Sequence, residues 1–321
     1  MPLTQIIGRL APTPTGYLHV GNARTFLATW LAVRSAGGRM ILRVEDIDFD
    51  RVRPQFEAQQ LEDMRWLGLD WDEGPDVGGK NGPYRQSERL EQYSEALRKL
   101  QAAGRVYPCV CTRKEVTASA PHEGEEAIYP GTCRGRFADA ADAHAQSGRE
   151  CAWRFRVEAE DKVDFVDVIA DGQAFDANNL GGDFVVQRKK GCPGYQLAVV
   201  VDDIEMGVTQ IVRGDDLLMS AARQLLIRNE LNPEEKQSVE WAHLPMVYDD
   251  QDRRLAKRND DLSLKALKES GVSPQKAIGV LAKSLGLVES ADSISLTDLV
   301  DDFNLKNITK NNVQIVRSDF D

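Results

Sequence analysis

The chain has 321 residues, 42% of them apolar, which suits two modules or one large domain with insertions. A net charge of −11 argues against general affinity for polyanions, so any contact with nucleic acid has to run through local basic strips. The apolar runs are strand-sized, no charged-then-apolar leader opens the chain, and the five cysteines are an odd number, so a membrane span, a secretion signal and a disulfide framework are not expected; a cytoplasmic monomer is.

The first informative stretch is Arg9-Leu-Ala-Pro-Thr-Pro-Thr-Gly-Tyr-Leu-His-Val-Gly-Asn-Ala-Arg24. It reads as a short strand, a Pro/Gly turn and an amphipathic helix over about 22–35. A helix start exposes unpaired N–H groups and the positive end of the dipole, which suits an anion. Gly16 and Gly21 let the backbone come close to a ligand. His19 can donate to a phosphate oxygen that gains charge in a transition state. The chemistry suggested is nucleotidyl transfer from ATP. Residues 40–45 form a second strand, with Glu45 and Asp46 at its end near the His19 turn. A helix over 56–67, a loop over 76–83 and a helix over 87–102 follow. Alternating strands and helices predict an α/β fold with a parallel sheet, whose ligands sit beyond the carboxyl ends of the strands.

Residues 105–190 read as an insertion with short strands near 152–157 and 163–169. The sheet then resumes with a strand over 195–201, a strand over 211–214 ending in a turn, and a helix over 217–229. Asp202-Asp203 ends the first of these; contact with an RNA 3′ end, capping and solvation all remain open for it. Helices near 274–285 and 296–303 close the chain. The basic clusters 188–190 and 253–258 fit a solvated surface or an RNA contact. His144 is assigned to the surface and His243 to a structural role.

The cysteines form a constellation. Cys109, Cys111 and Cys133 lie in one insertion, and two thiolates separated by one residue can share a metal ion. Tetrahedral zinc needs a fourth ligand, for which Tyr129 and His122 are available; chemistry alone favours His122. Cys151 and Cys192 read as ordinary free thiols.

The 9–24 stretch resembles the first signature of class I aminoacyl-tRNA synthetases, His19-Val20-Gly21-Asn22 standing at its H-x-G-x element, and its Pro-rich lead-in is that of the glutamyl subgroup. Cys-x-Cys followed by Tyr-Pro-Gly-Thr-Cys-Arg resembles the zinc site of the glutamyl-queuosine tRNA(Asp) synthetases, which implies structural Zn²⁺ on Cys109, Cys111, Tyr129 and Cys133. Arg254-Leu-Ala-Lys-Arg258 resembles the second class I signature, Lys-Met-Ser-Lys-Ser, with Lys257 at its second Lys. Arg254, Ala256 and Arg258 depart from that pattern, and loss of a Ser hydroxyl alters what closes the loop.

The resemblance implies a Rossmann-like class I catalytic domain with a zinc-containing insertion and a short C-terminal helical region. Its halves are 1–104 and 191–260, around an acceptor-binding-like insertion over 105–190 and before a helical appendage over 261–321. It implies catalytic roles for His19 and Lys257, glutamate contacts from Arg9, Ala11, Thr13, Glu45, Tyr195 and Arg213, and ATP contacts from Pro12, His19, Gly21, Asn22 and Lys257. Without it, a salt bridge for Arg9 and Glu45 and core packing for Tyr195 are the favoured readings. The implied partners are L-glutamate, ATP with Mg²⁺, and tRNA(Asp) bearing queuosine. About sixty residues follow Lys257, too few for the large helical region with which a glutamyl-tRNA synthetase reads a distant anticodon. Three alternatives stand beside this reading: a compact enzyme charging tRNA(Glu), a silent paralogue that binds RNA or protein, and a small-molecule adenylyltransferase.

Overall fold

Strand β1 (Ile7–Leu10) pairs in parallel with β2 (Arg39–Leu42) across the crossover helix α1 (Val20–Ser35). The computed structural model describes residues 5–118, 128–233, 239–255 and 260–321. Gly8 in β1 has a packing reason: a Cβ there would lie 2.4 Å from Cγ2 of Val33, so only glycine lets α1 press this closely on the strand. The expected amphipathic pattern of α1 is not what forms, because 11 of its 16 residues are buried. The helix lies between the sheet and the C-terminal helices, and a helix covered on both sides is apolar nearly all round.

The next elements are α2 (Pro54–Trp66), α3 (Leu90–Ala102), β3 (Val106–Cys109), α4 (Arg113–Thr117), α5 (Ala140–Ser147), β4 (Ala152–Phe155), β5 (Lys162–Asp167), β6 (Asp171–Asp176) and β7 (Phe184–Gln187). Strands β3, β4 and β7 make a small antiparallel sheet. The inserted segment is not wholly separate, since β5 pairs with β6 on one side and in parallel with a later strand on the other.

Residues 195–201 are not a strand. They open helix α6 (Tyr195–Glu205). A continuous apolar run fits a buried strand or a buried helix; here it continues through Asp202 and Asp203 to 11 residues, a helical length. Then come β8 (Gln210–Gly214), α7 (Leu218–Leu231), β9 (Glu240–Leu244) and β10 (Val247–Tyr248). Strands β8 and β9 are parallel, with Arg213 opposite His243. The N–H of Thr209 donates to the carbonyl of Ile7, which seams β8 to β1. The chain winds one way from β1 through α1 to β2 and the other way from β8 through α7 to β9. The seam is therefore a topological switch point, where α/β sheets bind ligands.

The tail comprises α8 (Leu264–Glu269), α9 (Pro274–Leu285), α10 (Leu296–Val300) and β11 (Val313–Gln314), which pairs with β10. Leu281, Leu305, Ile315 and Phe320 share one apolar cluster with α1, so the tail contributes to the central core. Among the described residues no helix is long and apolar enough to cross a membrane.

Candidate active site and cysteine centre

Helix α1 begins through an unusual cap. His19 Nδ1 accepts from the Gly21 N–H at 3.1 Å, and Asn22 Oδ1 accepts from the His19 N–H at 3.3 Å. In the neutral ring Nε2 must then carry the proton. A Cβ on Gly21 would sit 3.0 Å from the imidazole, so the glycine keeps the ring in its capping position. Gln60 Nε2 donates to the carbonyls of Thr13 and Gly16 and holds the preceding turn.

A cavity of about 280 Å³ opens at the switch point, lined among others by Ala11, Pro12, Thr13, His19, Gly21 and Asn22. Arg213 and Gly214 line its far side. Arg24, 1% exposed and not singled out from the sequence, also lines it. Its guanidinium donates to the carbonyls of Pro245 and Ser284, tying α1 to the segment after β9 and to α9. Burial lowers its pKa to about 10.

Beside this cavity lies a buried charged cluster. Arg9, Glu45 and Arg213 are 5%, 8% and 4% exposed, and Tyr195 at the start of α6 interacts electrostatically with all three. Beneath them is a network that sequence reasoning missed. Arg43, fully buried, pairs with Asp203 at 2.6 Å and with Glu45 at 3.1 Å. Asp203 also faces Arg9 at 3.4 Å. Asp202 accepts from Arg89 at 2.7 Å, from Gln86 and from the Tyr93 hydroxyl. Asp202-Asp203 therefore ends no strand and meets no solvent. Burial disfavours charge on Asp203, but Arg43 and Arg9 outweigh it and hold its carboxyl below the usual range. At Glu45 burial wins over Arg43 and Arg9, and its carboxyl is pushed up. Burial pulls the Arg213 guanidinium down, with the like charge of Arg9 adding to the effect. Two cations facing one space favour an anion between them.

The second-signature segment is described only in part. Arg254 pairs with Asp216 on the turn after β8, and both line the cavity. Ala256, Lys257 and Arg258 lie outside the described residues, as does His122. Within the basic clusters, Arg188 donates to the carbonyl of Ile47 and Arg253 pairs with Asp249. His144 is exposed, whereas His243 is fully buried between Arg213 and Asp167.

At the far end of β3, Cys109, Cys111 and Cys133 converge, their sulfurs within 4.8 Å of one another. The Tyr129 hydroxyl lies 3.3 Å from Cys109 Sγ and 3.7 Å from Cys111 Sγ, and Cys111 and Cys133 are 3.6 Å apart. Thiolates bound tetrahedrally to zinc at about 2.3 Å lie ~3.8 Å from one another, and a bound oxygen lies ~3.5 Å from each sulfur. The Cys111–Cys133 spacing and the two Tyr129 spacings lie near those values, so the residues present fit a tetrahedral ion. Burial pushes the Tyr129 hydroxyl up, and the Cys111 thiol up to about 11, so ionising them together calls for a cation. Arg154 stacks on the Tyr129 ring at 3.8 Å and donates to Cys109 Sγ.

The family profile of class I tRNA synthetases (E and Q), catalytic domain, matches residues 5–321. The glutamyl-Q tRNA(Asp) synthetase of Symbiobacterium thermophilum is 48% identical over 314 residues, covering 97% of this chain and 96% of that protein. Glutamate–tRNA ligase 2 of Syntrophus aciditrophicus is 41% identical over 304 residues, covering 92% of this chain and 61% of that protein. The crystal structure of the glutamate-tRNA synthetase of Elizabethkingia anophelis superposes with a TM-score of 0.84 at 26% identity, covering 98% of this chain and 69% of that one. With its signature turn at the start of α1 and its cavity at the switch point, the chain belongs to the class I tRNA synthetases of the E and Q catalytic-domain family, a family of ligases.

Proposed function

We propose that the chain activates L-glutamate with ATP and passes it to queuosine in the anticodon loop of tRNA(Asp). One observation carries the activation step: two guanidinium groups, Arg9 and Arg213, and the carboxylate of Glu45 gather beside a helix-start cavity, with Asp203 and Arg43 paired to each other behind them. Free glutamate offers two carboxylates and one ammonium, the complement of that set. Tyr195 adds a hydroxyl, and Ala11 and Thr13 shape the space between amino acid and nucleotide.

A glutamate carboxylate oxygen attacks the α-phosphorus of ATP. The bond from that phosphorus to the β-bridging oxygen breaks, and pyrophosphate leaves with the electron pair. The Nε2–H of His19 and the positive end of α1 meet the charge that grows on the phosphate, while Gly21, whose N–H is held by His19 Nδ1, and Asn22 keep the ring in place and Pro12 packs at the nucleotide end. Lys257 takes its role by resemblance, following the departing pyrophosphate, and Mg²⁺ accompanies ATP. The rate gain comes from positioning and charge stabilisation. A queuosine hydroxyl oxygen then attacks the glutamyl carbonyl carbon, the bond from that carbon to the phosphate oxygen breaks, AMP leaves with the electron pair, and the hydroxyl proton passes to solvent. Zn²⁺ on Cys109, Cys111, Tyr129 and Cys133 is structural, tying a small knob that lacks the core to hold itself.

The choice of acceptor rests on the names of the more similar relatives, two of which, at 48% and 47% identity, are glutamyl-Q tRNA(Asp) synthetases. The test is transfer of radiolabelled glutamate, with ATP and Mg²⁺, to tRNA(Asp) carrying queuosine and to tRNA(Glu). Label on the first alone, lost when queuosine is absent, is the expected result. Label on tRNA(Glu) instead would make this a compact charging enzyme, and label on neither would favour a silent paralogue.

A further inference from the structure

We infer that Asp167 and His243 are positioning residues that aim the Arg213 guanidinium at the substrate carboxylate, a role that rests on the glutamate reading above. Arg213 and His243 are direct neighbours on β8 and β9. His243 Nε2 lies 3.0 Å from Arg213 Nε, and Nδ1 lies 2.6 Å from Asp167 Oδ2. The side chains of His243 and Asp167 are both fully buried.

The protons in this chain are fixed by chemistry. An Arg Nε always donates, so His243 Nε2 must accept and Nδ1 must carry the proton. Asp167 accepts that proton as a carboxylate. Its other oxygen, Oδ1, already accepts from the amides of Ile169, Ala170 and His243 at 3.0, 2.8 and 3.1 Å. Burial lowers the His243 pKa, which agrees with a neutral ring. The plane of the fork is fixed as well. Trp241 stacks on the His243 ring and lies under the Arg213 guanidinium at 5.1 Å. Gln224 Oε1 and the carbonyl of Leu217 accept from the two terminal nitrogens. Of the five N–H groups of Arg213, three are then spent on orientation, and one on each terminal nitrogen remains for Tyr195 and a ligand.

The neutral imidazole is the informative part. Asp167 paired directly with Arg213 would cancel its charge and occupy its fork. A neutral imidazole between them passes on the orientation and leaves the positive charge for a carboxylate ligand. Arg9, by contrast, faces Asp203 directly. Asp167 ends β5, so the inserted segment helps set the aim of a residue in the central sheet.

Asp167→Asn tests the relay. Three amides need the carbonyl oxygen of the new side chain at the Oδ1 position, so its NH₂ faces His243 Nδ1. The ring must then protonate Nε2, which opposes N–H to N–H at Arg213. In glutamate-dependent ATP–pyrophosphate exchange, KM for glutamate should rise about tenfold or more while KM for ATP stays within about twofold. Nitrogen-15 NMR should place the His243 proton on Nδ1 in the wild type and on Nε2 in the variant. An unchanged glutamate KM, or an equal rise in both KM values, would overturn the proposal. So would a wild-type ring protonated on Nε2, a readout that needs no variant to fold. Absence of glutamate-dependent exchange in the wild type would overturn the glutamate reading itself, whereas exchange with an unmoved glutamate KM overturns the relay alone.

Discussion

At the substrate end, Arg43 and Arg9 share Asp203, Arg89 engages Asp202, and Asp167 reaches Arg213 through a neutral imidazole. At the cysteine knob, three thiols and a phenol converge on one point with Arg154 as the cation in contact. Both regions crowd groups that resist being charged together. The first balances them with counter-charges from strands and helices up to 194 residues away in sequence, Arg9 to Asp203, and it touches Tyr93 of one apolar cluster and Met206 and Trp241 of another. The second has a small cluster of its own around Tyr107, Tyr129 and Phe137. The substrate end is therefore organised by the chain, and the knob calls for an ion. Different perturbations should break each.

The largest effect is expected at the knob. Stripping the metal, or making Cys133→Ser, should cost on the order of 10 kcal/mol of ion-linked local stability. Hydrogen exchange should then speed up in β3 and around residue 133 while α1 stays protected. Equal loss of protection in α1 would erase the contrast between the regions.

Next comes the buried network. Asp203→Asn leaves Arg43 and Arg9 short of a counter-charge and should cost about 3–5 kcal/mol in urea unfolding. A cost below about 1 kcal/mol would mean that the network is not what organises this end.

His19→Asn separates structure from chemistry. Asparagine caps helices well but has no imidazole N–H, so stability should hold while the exchange rate falls about 100-fold. Equal losses in rate and in glutamate binding would argue against a transition-state role.

The smallest effect is at Asp63 on α2, a fully buried acid whose side chain accepts from Gln59. Burial raises its pKa to about 6, above the unfolded value of 3.8. The folded state then binds the proton more tightly, so this contribution is intact below pH 3.8 and is lost as pH rises through 6. Allowing for solvent screening, Asp63→Asn should gain about 1–2 kcal/mol over the wild type at pH 7.5 and little at pH 4, as read by thermal unfolding at the two pH values.

Local features were legible in the sequence. The His19 turn, the Cys109-Cys111 pair and the 274–285 helix depend on contiguous residues, and each lies where its pattern placed it. What was not legible depends on distant partners. Tyr195 to Val201 has strand-like composition and became helix because its Leu197–Val201 part is buried on α7 and α3. For Asp202 and Asp203 an RNA contact, capping and solvation all stood open in the sequence, because Arg43 and Arg89, which neutralise them, lie more than 110 residues away. His243 read as structural because Arg213 and Asp167 flank it only after the strands pair.

The most direct measurement is glutamate-dependent ATP–pyrophosphate exchange, with Mg²⁺, by the chain before and after its knob has been stripped of metal. Exchange with glutamate and not with aspartate, retained after stripping, is the expected result. No glutamate-dependent exchange in either form would contradict the assigned activity, and loss in the stripped form alone would contradict a substrate end organised independently of the knob.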